Sequence, residues 1–282
     1  MPSPRFLFRL RDQNQAMNLS PVKLVLDLSD RFKLGHALTG RPLSLPVRVQ
    51  VGTHHKTGTV WMLKLFQQLC RVTGLQFEHG EGTRIPRSCD VYLSYSSEFC
   101  WQDSSRPCKG IHLIRDPRDV IVSSAFYHTS STEAWLHVKR PEFGGQTYQE
   151  KINSYGSLDD RISFEMEHMA FKHIGQMTQW DYANPSMMEI KYEDLIVDEN
   201  LLLFHGMFTF LEFPGQAMPL CLQVAYENSL FSGKVKKSSH VRSGQSRQWE
   251  KHLNAEHRRK FLELFGDALI KLGYETDHSW AN

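Results

Sequence analysis

The chain has 282 residues, a formal net charge of +2, 40% hydrophobic residues and 23% charged residues, as an ordinary globular protein does. Because the charge is nearly balanced, composition gives no overall attraction to nucleic acid, and the longest apolar run is far below the ~20 residues that stable membrane insertion requires. The five cysteines form no CxxC pair, and the first residues do not resemble a secretory signal, so we expect reduced thiols in a cytoplasmic protein.

Residues 1–46 are predicted to form an N-terminal helical extension. The apolar period between Pro21 and Leu34 fits an amphipathic helix. It would either pack on the core or contact a membrane or partner. No linker or repeat divides residues 47–282, so we predict a single domain there; the sequence leaves a homo-oligomer open.

The most informative segment is a strand, a short polar loop and a helix between residues 47 and 73. Val47 to Val51 form an apolar run, and a helical apolar period starts at Thr59. Such a unit directs backbone N–H groups and the positive end of a helix at one point, which suits a phosphate-like anion. Lys56 adds a cation, although its place before Gly58 differs from the G-x-x-x-x-G-K-[ST] order of ATP and GTP enzymes.

Further strands and helices alternate along the rest of the chain. The predicted strands lie near 75–78, 90–95, 110–115 and 186–192, and the predicted helices cover 116–128, 158–180, 197–211, 216–228 and 254–272. This alternation predicts an α/β fold, a three-layer sandwich whose central, mostly parallel sheet is flanked by helices. Residues 129–156 read as a loop-rich stretch, either a lid or a surface excursion.

A second anion site is predicted where the strand over 110–115 ends. Arg115 and Ser123 could together hold one phosphate, with Asp116 as helix N-cap and Pro117 as first helical residue. The alternatives are an ion pair of Arg115 with Asp116 or Asp119 and a Ser123 that only packs in its helix, or a magnesium-binding role for Asp116. Residues 234–249 are a basic stretch, either a solvated connection or a lid over a polyanionic ligand.

Together, these segments resemble the PAPS-dependent sulfotransferase family. Lys56-Thr-Gly-Thr-Val-Trp61 is similar to the family's first motif, and Arg115 to His128 is similar to the second. Arg242-Ser-Gly244 with Trp249-Glu-Lys-His252 is similar to the third, and Tyr192 begins a Tyr-Glu-Asp-Leu signature. The resemblance covers roughly residues 47–252 and implies a fold related to phosphate-loop nucleotide kinases.

The resemblance also implies residue roles. The loop around Lys56 would hold the 5′-phosphosulfate of PAPS, and Lys56 would lie near the bridging oxygen. Arg115, Ser123 and Arg242 would hold the 3′-phosphate, while Trp61 and Tyr192 would lie at the adenine; a core position is the alternative for Trp61. The full predicted set for PAPS, or its product PAP, is His55, Lys56, Thr57, Gly58, Thr59, Val60, Trp61, Arg115, Ser123, Tyr192, Arg242, Ser243 and Gly244. No metal is expected, since cationic side chains can neutralise the leaving phosphate.

The general base is less well marked, because the strand over 90–96 lacks the histidine of the cytosolic branch of the family. Glu78 and His79, followed by Glu81, are the predicted candidates, as in the Golgi-type branches. The acceptor is expected to be a small molecule or a glycan carrying a hydroxyl or amine, bound by residues 79–105 and 129–156. A phosphate-loop small-molecule kinase and a non-catalytic nucleotide-binding homologue are the alternatives.

Overall fold

The computed structural model describes residues 43–81, 84–101, 105–233 and 244–282. The predicted N-terminal helix lies outside these residues, and the single domain over 47–282 stays a prediction. The described strands are β1 (Arg48–Gly52), β2 (Phe77–Gly80), β3 (Arg84–Ile85), β4 (Val91–Ser94), β5 (Cys100–Trp101), β6 (Cys108–Ile114) and β7 (Met187–Lys191).

Eleven α-helices lie in the same described residues. They are α1 (Thr59–Thr73), α2 (Pro117–Tyr127), α3 (Tyr148–Asn153), α4 (Leu158–Glu167), α5 (Met169–Thr178), α6 (Tyr192–Leu195), α7 (Leu202–Phe210), α8 (Met218–Asn228), α9 (Trp249–His252), α10 (Ala255–Phe265) and α11 (Ala268–Lys271). Single 3₁₀ turns occur at Ala134–His137, Pro141–Phe143, Gly215–Ala217, Leu230–Ser232 and Ser279–Ala281.

Five strands form one sheet in the order β2-β4-β1-β6-β7. β1 lies between β4 and β6 and runs parallel to both, with Val51 opposite Leu93 and Ile111. β2 pairs with β4 in parallel as well. The apolar side chains of β1 are fully buried, as expected for a parallel strand that helices cover. The predicted α/β class, a mostly parallel sheet flanked by helices, is confirmed.

The described residues fall into two compact units. The first takes in the described parts of Met1–Thr53, Thr59–Leu113 and Asp181–Val235, and the second those of His54–Gly58, Ile114–Trp180 and Lys236–Asn282. The apolar core of the first unit comes from β1, β4, α1, α7 and α8. That of the second comes mainly from α2, α4, α5, α9 and α10.

Three predicted helices were wrong in extent. The helix predicted over 158–180 is two helices, because His168 leaves helical geometry at φ −121°, ψ −102° and its ring stacks on Phe164. The closing helix over 254–272 is interrupted at Gly266, whose φ is +49°. The helix predicted to begin at 197 begins at Leu202, because the Asp198 carboxylate accepts the N–H groups of Leu202 and Phe204.

The stretch over 129–156 is more ordered than its composition predicts. It holds two of the 3₁₀ turns and the short helix α3. Thr147 begins this helix through a capping box with Glu150, each side chain bonding the other residue's backbone N–H. Such a reciprocal cap satisfies two amide donors at the helix start.

Candidate functional site

The predicted phosphate loop, His54–Gly58, belongs to the second unit and connects β1 to α1. The loop is closed by Thr57, whose hydroxyl accepts from the N–H of His54 at 2.9 Å and donates to the carbonyl of His54 at 2.8 Å. Thr57 is fully buried. Its hydroxyl therefore shapes the loop, and contact of Thr57 with PAPS stays a prediction.

Two positions at the loop need unusual backbone space. Gly52 ends β1 where an added Cβ would come within 2.8 Å of the Ser97 hydroxyl, so a side chain there would collide. Gly58 has φ +111°, a region that residues with a Cβ rarely adopt. The sequence folds into this loop because glycine is present at both points.

Lys56 lies in a strained, left-handed backbone conformation with φ +63°. Its carbonyl accepts from Nη1 of Arg115 at 3.0 Å, and its ammonium Nζ lies 3.6 Å from the centre of the Tyr127 ring. Strained non-glycine residues concentrate at functional sites. The bond between Arg115 and Lys56 joins the first predicted motif to the second.

The two arginines of the second motif, Arg115 and Arg118, have different partners. Arg118 forms two bonds with the carboxylate of Asp116, at 3.0 and 2.7 Å, and Asp116 also caps α2 by accepting the backbone N–H of Arg118. Arg115 approaches Asp119 only at 3.7 Å. Because Asp116 is engaged by Arg118, its carboxylate fits poorly as a magnesium ligand.

Asp119 connects the second motif to the third. Its carboxylate accepts the backbone N–H of Trp249 at 3.0 Å, and burial raises the pKa of this acid. The Arg118 guanidinium stacks on the Trp249 ring, 3.7 Å from its centre. The segment after the basic stretch is thereby fixed to α2.

The residues predicted to bind the 3′-phosphate are only partly described by the structure. Ser123 lies half-buried on α2, and Gly244 has φ +65°. Arg242 and Ser243 fall outside the described residues.

Thr59 donates its hydroxyl to that of Thr53 at 3.0 Å, and the half-buried Val60 follows Thr59 in the first turn of α1.

In the first unit, Trp61 and Tyr192 come together. Their rings meet edge to face with centres 6.0 Å apart, and Phe204 packs on Trp61 at the same spacing. Trp61 is half-buried and Tyr192 is buried. Trp61 packs against the apolar core that contains Tyr192, as the core alternative for Trp61 predicts, and contact of the pair with adenine stays a prediction.

The predicted base candidates lie on the edge strand β2. Glu78 and His79 are both exposed, and His79 bonds the Tyr95 hydroxyl through Nδ1 at 2.5 Å. The strand predicted near 75–78 is β2, which pairs with β4. Their catalytic role stays a prediction.

The structure contains a histidine cluster that was not predicted from the sequence. His128 bonds Glu165 through Nδ1 at 2.5 Å and His55 through Nε2 at 2.9 Å, and the ring of His173 stacks on His55. Two signals were present. His128 ends the second motif, and Glu165 begins a Glu-x-x-His pattern whose histidine bonds the Phe164 carbonyl instead.

The described part of the chain contains neither a candidate metal cluster nor a helix that could span a membrane. Within it, no group of three or more His, Cys, Asp or Glu side chains is arranged to hold a metal ion. Likewise, none of its helices combines the length and apolar character needed to cross a membrane. All five cysteines are described, and all five are free thiols.

Comparisons with known proteins give the following similarities. A family model described as the sulfotransferase domain matches residues 101–273, more than half of the chain. Among solved structures, the chain is similar to mouse sulfotransferase SULT7A1 complexed with PAP, with 15% identity and a TM-score of 0.49, over 86% of this chain and 91% of that chain. A comparison with curated protein sequences gives no match.

Proposed function

This chain belongs to the sulfotransferase family, and on that premise we propose that it binds PAPS through Lys56 and Arg115 and transfers the sulfuryl group to a hydroxyl or amine acceptor. The observation that carries the proposal is the 3.0 Å bond from Arg115 to the Lys56 carbonyl. It holds two cationic side chains from separate motifs at one place. A donor with two anionic groups matches such a pair.

Positioning and charge neutralisation would supply most of the catalysis, as in phosphoryl transfer. Lys56 would stabilise the charge that develops on the leaving phosphate oxygen. For that purpose its ammonium must leave the face of Tyr127, where a cation–π contact of about 0.5–2 kcal/mol holds it. The 5′-phosphosulfate, with one negative charge on its phosphate and one on its sulfate, offers a stronger partner, so donor binding would favour this movement. Trp61 and Tyr192 would bind the adenine, and Ser123, Arg242 and Gly244 the 3′-phosphate.

The donor can be tested by ligand stabilisation. Adenosine 3′,5′-bisphosphate should raise the melting temperature, since binding to the folded state alone adds RT ln(1 + [L]/Kd) to its stability. ATP with Mg²⁺ should have a much smaller effect, because Asp116 is bonded to Arg118. Stabilisation by ATP and Mg²⁺ alone would favour the small-molecule kinase and contradict our proposal.

The role of Lys56 can be tested by transfer of sulfate from ³⁵S-labelled PAPS. Lys56→Ala should lower kcat by about 10²–10³, the loss typical when one donor to a developing charge is removed. Lys64→Ala is the matched control, because Lys64 is an exposed lysine on α1. Equal rates in the two variants would contradict the assignment, and PAP binding without turnover in the wild type would favour the non-catalytic homologue.

For the acceptor, we propose a hydroxyl-bearing small molecule or glycan that contacts residues 129–156. A depression of about 570 Å³ in this stretch is lined by His137, Thr147, Gln149, Glu150, Asn153 and Ser154. Amide, hydroxyl and carboxylate groups suit sugar hydroxyls better than an apolar ring. In an acceptor panel, saccharides should accept more label than phenols; sulfation of small aliphatic amines alone would contradict this.

We also propose a cytoplasmic location, supported by the five free thiols. Cell fractionation with a compartment marker would test it, and recovery in the secretory pathway would contradict it.

A further inference from the structure

The second unit contains a hydrogen-bonded chain of three titratable side chains that starts beside Lys56. Glu165 Oε1 and His128 Nδ1 are 2.5 Å apart, and His128 Nε2 lies 2.9 Å from His55 Nε2. The side chains of Glu165 and His128 are completely buried, and His55 is half-buried. These hydrogen bonds therefore connect the interior of the unit to the phosphate loop.

The donor and acceptor roles follow from Glu165, where this series of hydrogen bonds ends. A carboxylate only accepts hydrogen bonds, so His128 donates its Nδ1–H to Glu165. The neutral His128 ring then accepts at Nε2, and His55 must donate its Nε2–H. Nδ1 of His55 is left as the proton-accepting nitrogen, the arrangement in which a carboxylate fixes the tautomer of a histidine.

Aromatic rings pack around His55 and His128 beside Lys56. The Tyr127 ring lies 3.6 Å from Nζ of Lys56 and 6.0 Å, centre to centre, from His55. Trp135 packs edge-on against His55 and His128. The imidazole of His55 and the ammonium of Lys56 thus share one aromatic neighbour.

We propose that His55 is the general base of sulfuryl transfer, and that His128 and Glu165 are positioning residues that take up its proton charge. This inference rests on the proposed function and replaces Glu78 and His79 as the favoured base. Those two side chains are exposed on an edge strand, whereas His55 immediately precedes the lysine assigned to the leaving oxygen.

The proton and the electrons balance in one step. The acceptor oxygen forms a bond to sulfur, the bond between sulfur and the bridging oxygen breaks, and that electron pair stays on the phosphate of PAP. The acceptor proton goes to Nδ1 of His55, and the Nε2 proton of His55 moves to Nε2 of His128. His128 becomes an imidazolium paired with the Glu165 carboxylate, and the proton returns to water after product release.

Charged and titratable groups around His55 favour its neutral form at rest. Burial, followed by His128, His173 and Lys56, holds the pKa of His55 well below its usual range. Tyr127 also faces the ring. Because a neutral imidazole is required of a base, transfer should persist at mildly acidic pH and decline only when His55 becomes protonated.

The main test compares His55→Gln with wild type, using the fastest acceptor of the panel or water in hydrolysis of ³⁵S-labelled PAPS. Glutamine keeps a donor toward His128 but has no basic nitrogen. kcat should fall by about 10²–10⁴, while PAP still raises the melting temperature. His205→Gln, which alters an exposed histidine on α7, should keep the wild-type rate.

The positioning role has its own readout. Glu165→Gln should lower kcat by about tenfold and move the acidic limb of the pH–rate profile, which reports protonation of His55, to lower pH, because the positive charge accepted by the His55–His128 pair loses its anionic partner. Loss of packing alone would not move that limb. In ¹⁵N-histidine NMR of the wild type, His128 should carry its proton on Nδ1 and His55 on Nε2; a proton on Nδ1 of His55 would overturn the relay.

The remaining outcomes separate this inference from the proposed function. A His55→Gln variant as fast as wild type, with a large loss in Glu78→Gln or His79→Gln, would overturn the relay and leave the sulfotransferase intact. A wild type that binds PAP and never turns over PAPS would overturn the activity and the base together.

Discussion

At the scale of single residues, Lys56 combines a charge with backbone strain. Its φ of +63° places a residue with a Cβ where glycine is favoured by roughly 1 kcal/mol or more. The Arg115 bond to its carbonyl and its contact with Tyr127 hold this conformation. Glycine would be more stable at this position, so the backbone conformation by itself does not account for a lysine there.

Comparison of Lys56→Gly with Lys56→Ala separates the two properties. Both variants should lose transfer, but the free energy of unfolding should be about 1 kcal/mol higher for the glycine variant, because alanine remains strained at positive φ. Urea denaturation measures the difference. In the matched pair at Lys64, inside α1, the sign should reverse, because glycine destabilises a helix interior by about 1 kcal/mol. An alanine variant at Lys56 as stable as the glycine variant would contradict the strain.

At the scale of elements, the beginning of α2 joins the predicted ligand-binding Arg115 to a buried ion pair. Asp116 caps the helix and pairs with Arg118, whose side chain is 3% exposed. Arg118 also bonds Glu275 and stacks on Trp249. One carboxylate thus orients the helix that follows Arg115.

Asp116→Ala should lower the free energy of unfolding by about 3 kcal/mol. The helix would lose its cap, worth about 1 kcal/mol, and the buried Arg118 guanidinium would lose both of its hydrogen bonds to Asp116. Asp160→Ala, at an exposed position in the first turn of α4, should cost less than about 1 kcal/mol. Equal losses in urea denaturation would show that the Asp116 pair contributes little.

The elements also show what the sequence could predict. Local signals were sufficient for β1, for α1 and for the Asp116 cap, because an apolar run, a helical period and an N-cap with proline act within a few residues. The break at His168 depends on stacking of its ring on Phe164, and the bond between His128 and Glu165 joins positions 37 residues apart. The second of these contacts is tertiary and leaves no local periodic signal, so the bond between His128 and Glu165 could not be predicted.

At the scale of the whole molecule, buried neutral histidines link stability to pH. Burial lowers the pKa of His54 to about 3 and that of His173 to about 4. Below the ordinary histidine pKa of about 6.5, these side chains bind a proton in the unfolded chain and stay neutral in the folded protein. Stability should therefore be fully present above pH 6.5 and fall as the pH drops toward 4.

Each such histidine contributes a slope of up to about 1.4 kcal/mol per pH unit, and His173→Met should remove one of them. The free energy of unfolding from urea titrations between pH 7 and 4.5 should decline less steeply in this variant, because methionine takes up no proton. Ile174→Val, a packing change in the same helix, should lower stability by about 1 kcal/mol at every pH and leave the slope unchanged. A His173→Met variant with the wild-type slope would show that His173 is protonated in the folded protein over this range.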